Sequence, residues 1–269
     1  MELISLVFTY KSDKENVNIA NYTKSIRLLS NEVTIAIRHA ETKDLYLLNQ
    51  YKLPSSYNNR DLIAQIAEIN ENLQLECKKN IFYLYNKINT QIPKDFYDKK
   101  NEDALIATLT PNSQLFSSIT EWIDIYDFYN FSICEDALKK AIDEYFPKFL
   151  LKTTISNLFQ LINNYNQTEK KTLVFVENKH FTILAVERNN FLAANGFSFA
   201  NELDFTYYIV NFIRKIFVQT EEVQIMMIGH IEEESPVFQM VKKYFKDTLI
   251  DKNTGLALVE NSHYFCDLF

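Results

Sequence analysis

Thr172-Leu-Val-Phe-Val-Glu177, Phe181-Thr-Ile-Leu-Ala-Val186 and Asn190-Phe-Leu-Ala-Ala-Asn-Gly-Phe-Ser198 are three β-rich runs separated by short polar turns. That spacing predicts an antiparallel meander. From Asp204 to Phe217 the apolar residues Phe205, Tyr208, Ile209, Phe212, Ile213, Ile216 and Phe217 recur at helical intervals, which predicts a helix with one buried face. Val223-Gln-Ile-Met-Met-Ile228 is short and continuously apolar, as in a strand covered on both faces. The unit is β-β-β-α-β, and none of its residues announces a reaction.

The same order occurs earlier in the chain. Ser25-Ile-Arg-Leu-Leu29, Val33-Thr-Ile-Ala-Ile37 and Leu45-Tyr-Leu-Leu-Asn-Gln-Tyr51 read as three strands. Leu62, Ile63, Ile66, Ile69 and Leu73 have helical spacing, and Asn80-Ile-Phe-Tyr-Leu-Tyr85 reads as a buried strand. Two units of one plan in one chain predict a duplicated architecture. The polar stretch 163–171 is the natural boundary, giving a first lobe over residues 1–165, with an N-terminal strand and inserted helices, and a second over 166–269.

Between the units, Ile92-Pro-Lys-Asp-Phe96 reads as a turn into a short helix, and 119–131 as strand. Ser132 reads as the cap of a helix that Pro147 terminates. Thr153 to Asn163 reads as the next helix. After it come a helix from Val237 and two last strands, at 248–250 and 257–260. Residues 1–20 read as an edge strand and a polar connector.

Composition excludes several function classes. The net charge of −7 over 269 residues opposes a general nucleic-acid or anionic-membrane binder, since both need a positive field. The lysine dyads, Lys78-Lys79 and Lys170-Lys171 among them, read as solvated faces. There are only 3 glycines, where ordinary usage near 7% predicts roughly 19. Phosphate-cradling loops depend on glycine for close backbone approach, so this chain is poorly supplied to build one. Cys77, Cys134 and Cys266 are an odd, scattered set that fits reduced thiols in the cytoplasm rather than a disulfide framework. The N-terminus lacks a basic leader, and no apolar run reaches the ~20 residues of a membrane span. No membrane insertion is expected.

Five motifs, in this order and spacing, carry a resemblance: Ile92-Pro-Lys-Asp-Phe96, Phe146-Pro-Lys-Phe149, Asn195-Gly-Phe-Ser-Phe199, Asp204-Phe-Thr-Tyr-Tyr208 and Ile228-Gly-His-Ile231. Over about residues 24–246 the chain resembles the uncharacterised Bacteroidota family catalogued as domain of unknown function 3822. The resemblance implies an α/β fold with mixed sheets, formed by two actin-like (ribonuclease H-like) lobes. It lies nearest the degenerate cytosolic pilus-assembly and secretion members of the actin-like superfamily.

An actin-like nucleotide site, as that resemblance frames it, uses two hairpins of the type Asp-X-Gly-X-Thr/Ser and a glycine-bearing adenosine turn. The corresponding stretches here are Leu29-Ser-Asn-Glu-Val33, Val176-Glu-Asn-Lys-His-Phe-Thr182 and Gly229-His230. The hairpins have no glycine, and a bulky side chain follows the single glycine of the third stretch. The cleft candidates are Glu177, Asn178, His180, Gly229 and His230. No catalytic residue, metal ligand or cofactor is expected.

His180 reads most simply as a turn histidine facing water, and His39 as a strand-end surface residue. His230 with Glu232, Glu233 and Glu234 reads as a solvated acidic turn, because no second histidine stands at ligand spacing. His263 and Cys266 could suggest a base and nucleophile, but they sit at the chain end. Trp122 and the aromatics that follow it read as core and strand residues.

The leading expectation is a non-enzymatic, protein-binding scaffold with degenerate nucleotide loops. The alternative is a nucleotide or small-molecule binder, or a weak ATPase, using the interlobe cleft. The aromatic content also allows a homodimer.

Overall fold

The computed structural model describes residues 3–13, 18–164, 170–188, 190–218, 220, 222–251 and 262–268. The first strand, β1 (Ser5–Lys11), leads to a meander of β2 (Tyr22–Leu28), β3 (Glu32–His39) and β4 (Leu45–Lys52). Helix α1 (Asn59–Asn72) and β5 (Lys79–Leu84) complete the first β-β-β-α-β unit. Then come β6 (Asn89–Pro93), α2 (Glu102–Leu109), β7 (Phe116–Ile123), β8 (Phe128–Glu135), α3 (Asp136–Tyr145), β9 (Leu150–Thr153) and α4 (Thr154–Asn164). The second unit is β10 (Lys170–Glu177), β11 (His180–Glu187), β12 (Asn190–Ser198), α5 (Glu202–Ile216) and β13 (Gln224–Gly229), followed by α6 (Pro236–Tyr244) and β14 (Thr248–Ile250). A 3₁₀ segment, Ser262–Leu268, closes the described chain.

The strands form three sheets, ordered β1-β4-β3-β2-β5-β9, β12-β11-β10-β13-β14 and β6-β8-β7. In both large sheets the meander is antiparallel, and the strand after the helix returns parallel to the first meander strand (β5 beside β2, β13 beside β10).

Alternation along β10 explains its unbroken apolar run. Val174 and Val176 pack with Phe205, Ile209 and Ile213 of α5, whereas Leu173 and Phe175 pack with Leu158, Phe159 and Ile162 of α4. Helix α5 starts where the Asn201 side chain accepts from the amides of Leu203 and Asp204, each at 3.0 Å. In the first sheet, Ile26, Leu28, Phe82 and Leu84 pack under α1 and α3. The opposite face places Ala36, Leu48, Ile81 and Tyr83 against Phe265 and Leu268 of the closing segment. Thus α4 lies on the second sheet and the last described residues lie on the first, so the two units are laced together.

Several expectations need correction. Ser132 is buried inside β8, opposite Ile119 of β7, and its hydroxyl accepts from Asn130; Glu135 stands before α3 instead. Strands β6 and β9, of five and four residues, were too short to show a period. Lys170 and Lys171 are buried, because they start the central strand β10, and Lys170 reaches Glu222 at 2.8 Å. Trp122 is 40% exposed rather than in the core, with the Lys94 ammonium 5.4 Å from its ring centre. The strand expected at 257–260 and the Cys266 side chain lie outside the described residues.

Candidate functional site

The two meander hairpins meet tip to tip. In the first sheet β2 turns into β3 through Leu29, Ser30 and Asn31, closed by the Leu29 amide donating to the Glu32 carbonyl at 3.0 Å. In the second, β10 turns into β11 through Asn178 and Lys179 alone, so Glu177 and His180 face each other across the ladder. Asn178 takes φ +51°, which asparagine tolerates better than most residues.

Ser30 joins the hairpins. Its amide donates to Glu177 Oε1 at 3.2 Å, and its hydroxyl donates to the same oxygen. Glu177 is buried at 1% exposure. The space between the turns is therefore crossed by a direct protein bond.

His180 does not face water. The two-residue turn makes it the first residue of β11, and the residue is 5% exposed. Its Nδ1 is hydrogen-bonded to the Tyr85 hydroxyl, and the ring meets that of Tyr85 edge-on at 5.8 Å. Burial, with a smaller push from the Lys87 charge, lowers the imidazole to about 4, so His180 is neutral at pH 7. Burial and the Glu177 charge push the Tyr85 phenol well above its ordinary range. Opposite, Gly196 leaves room for the imidazole: a Cβ there would stand 2.9 Å from His180 Cε1.

Gly229 and His230 form a second junction. Gly229 takes φ +86° beside Val176, and the His230 amide donates to the Val176 carbonyl at 2.8 Å. His230 Nε2 lies 3.2 Å from Glu32 Oε2. The other Glu32 oxygen receives Arg27 Nη2 at 2.9 Å, and Gln50 donates to Oε2 at 2.6 Å. Burial would raise the Glu32 carboxyl, but the His230 hydrogen bond, the Arg27 charge and Gln50 outweigh it and hold it at about 2.

Arg27, fully buried, also donates to Thr34 and, at 2.9 Å, to the Tyr264 carbonyl of the closing segment. The Tyr264 hydroxyl donates to Glu232, so the acidic turn is only partly solvated.

The five cleft candidates therefore lie at one end of β10, β11 and β13, in two separate groups. Glu177 and His180 pair with Ser30 and Tyr85, Gly229 and His230 pair with the Glu32 network, and Asn178 is exposed at a tip. An open depression of about 490 Å³ borders Ser30, Glu177 and His180, and another of about 290 Å³ lies towards Tyr57 and Tyr85. Ser30 and Lys87 border both.

Sequence reading missed Tyr85, Arg27 and Tyr264. The one available signal was an arginine in the middle of an otherwise short apolar strand. Among the described residues, no three His, Cys, Asp or Glu side chains converge as metal ligands. His263 is held by the Ile231 carbonyl at 2.7 Å, and the His39 ring accepts amides of its own turn.

Residues 11–248 match the family described as "Protein of unknown function (DUF3822)". The chain belongs to this family.

Its fold is the actin-like ATPase fold. A Bacteroides thetaiotaomicron protein described as having an actin-like ATPase fold and unknown function is similar at TM-score 0.77 and 16% identity, over 93% of this chain and 100% of that one. A PilM–PilN type IV pilus biogenesis complex is similar at TM-score 0.57 and 10% identity, over 91% and 96%. The ethanolamine utilization protein EutJ from Carboxydothermus hydrogenoformans is similar at 0.51 and 8%, over 91% and 87%. At these identities the likeness concerns the fold alone. No curated protein matches the chain.

Proposed function

We propose that this member of the family is a non-enzymatic actin-fold protein that binds a protein partner in the cytoplasm. Its two lobes, 1–165 and 166–269, are held together by what were nucleotide loops. The observation that carries this reading is the double donation from Ser30 to Glu177. A phosphate group held between the two hairpins would need their amides, and the Ser30 amide is already given to a carboxylate of the facing turn. Neither turn has a glycine to bring further backbone close. The buried, neutral His180 adds bulk but no charge for a phosphate.

Two further observations agree with the reading. Cys77 and Cys134 are free thiols, and no described helix is long and apolar enough to cross a membrane. A fold neighbour described as a complex, PilM with PilN, gives a precedent for partner binding on this fold.

Calorimetric titration with ATP or ADP plus magnesium tests the reading. No heat and no thermal shift are expected. ATP turnover that Glu177→Ala abolishes would sink it, and saturable nucleotide binding lost in a Ser30 or Lys87 variant would favour a small-molecule role for the cleft.

A further inference from the structure

Helices α5 and α6 cover one face of the second sheet, where Ile209 and Phe212 of α5 share a core with Phe238 and Val241 of α6. Their outer sides border an open groove of about 450 Å³. Its walls are largely apolar, with Leu203, Tyr207 and Val210 from α5 and Met240 and Tyr244 from α6. Leu203 is 66% exposed, Tyr207 63% and Tyr244 60%. Large apolar side chains left open side by side are the mark of an interaction surface.

The spacing along α5 says what fits that surface. Phe205, Ile209, Phe212 and Ile216 follow one another by four, three and four residues and face the core. Leu203, Tyr207, Val210 and Arg214 repeat the same steps along the groove. Such a seam is the pattern by which one helix meets another. Helix α5 thus carries two seams, and only the inner one is covered by the sheet.

Charge selects the partner helix. The first turn of α5 carries Glu202 and Asp204, and its last turn carries Arg214 and Lys215. Among the described residues, neither Arg214 nor Lys215 has a hydrogen-bond or salt-bridge partner. Asp204 and Lys215 are eleven residues apart, about three helical turns, so they stand at opposite ends of one flank of the outer seam. A second α5 laid antiparallel along this seam brings its Lys215 to Asp204 and its Asp204 to Lys215. One two-fold axis satisfies both ends. A parallel copy would set like charge on like. The antiparallel arrangement also opposes the two helix dipoles, and each Arg214 stem covers the exposed Leu203 of the other copy.

We propose that this chain forms a two-fold dimer through the outer faces of α5 and α6, with the two α5 helices antiparallel. The pairing goes beyond the reading of the cleft and does not depend on what the cleft binds. The 15 residues of α5 span about 22 Å. A face of that length and two helices wide lies at the small end of stable interfaces, so the dimer forms at micromolar concentration.

Light scattering from the full chain over roughly 5 to 500 µM is the test, since association follows mass action. The wild-type mass should rise from one chain to two. Tyr207→Glu puts a carboxylate on each side of the seam and should remain a single chain throughout. Its side chain is already exposed, so the thermal midpoint at the lowest concentration should match the wild type and separate lost pairing from lost folding. Phe96→Asp, at an 81% exposed position just after β6, should leave the dimer unchanged. Lys215→Glu should weaken the dimer roughly tenfold, because two symmetric attractions become repulsions. Adding Asp204→Asn to Lys215→Glu should recover part of that loss. A wild type that stays monomeric would overturn the proposal and leave the face to a different protein. So would a dimer that survives Tyr207→Glu or is lost with Phe96→Asp. No recovery with Asp204→Asn would overturn the antiparallel pairing.

Discussion

Ser30 and Glu177 lie 147 residues apart and bond across the gap between two hairpin turns, the serine donating both its amide and its hydroxyl to one carboxylate oxygen. The bond spans the space between the two turns. It also ties the first sheet to the second at the tips of their meanders.

Breaking that tie should loosen the two sheets. Ser30→Ala removes the hydroxyl donor to a buried carboxylate, a loss of about 1.5–3 kcal/mol for a hydrogen bond to a charged group. Glu177→Ala should cost at least as much, because it strands two donors. Urea unfolding of both variants checks this, and a double variant should show non-additive losses. Additive losses would mean that the two residues do not depend on each other.

Arg27 should be far less replaceable than a surface arginine. Its guanidinium is fully buried and holds Glu32, Thr34 and the Tyr264 carbonyl together. Removing one partner of a buried pair leaves the other charge without compensation, so Arg27→Ala should lose about 3–5 kcal/mol. Arg60, paired with Glu144 at 2.6 Å but with both side chains more than half exposed, makes the control. Arg60→Ala should barely move the urea midpoint. Equal effects in the two variants would refute the importance of burial here.

Acid should destabilise the protein in two overlapping stages. The His180 imidazole is lowered from 6.5 to about 4 in the folded chain, so the unfolded chain binds the proton more readily. Its contribution is complete above pH 6.5 and is lost as pH falls towards 4. The Glu32 carboxyl is lowered from 4.5 to about 2, so its contribution is complete above pH 4.5 and is lost as pH falls towards 2. Integrated over that interval, Glu32 accounts for about 3 kcal/mol. Unfolding free energies measured from pH 7 to pH 2 should show both declines. Glu32→Gln should flatten the lower one and His180→Phe the upper. An upper decline that persists without His180 would require a different titrating group.

The two glycines beside the hairpins, Gly196 and Gly229, should differ in cost. At Gly229 an added Cβ would meet the Val176 carbonyl oxygen at 2.2 Å, on a backbone at φ +86°. Neither backbone can yield, so Gly229→Ala should lose more than about 2 kcal/mol. At Gly196 the nearest atoms belong to the His180 ring, which can shift at the expense of its bond to Tyr85. Gly196→Ala should therefore cost less in thermal unfolding and should raise the His180 pKa, read from its proton resonances, as the ring moves towards water. An unchanged titration would show that the ring had not moved.

Much of the fold was legible along the chain. The β-rich runs Val33–Ile37 and Thr172–Glu177, helical spacing in Leu62–Leu73 and Phe205–Phe217, and the repeated β-β-β-α-β order are local patterns set by which faces each segment buries. The glycine-poor hairpins were equally legible, since backbone approach to an anion depends on residues within the turn. Short strands such as Leu150–Thr153 were not, because four residues define no period and pairing with β5 decides their state.

Residue type alone therefore determined the two meanders, their helices and the scarcity of phosphate-cradling turns. Only the tertiary structure decided that Ser30 reaches Glu177, that His180 turns inward onto Tyr85, and that Arg27, Glu32 and His230 form one network. The reason is physical. Periodicity reports how a segment meets its own layer, whereas a bond or a field between distant segments depends on strand register and on how the layers stack.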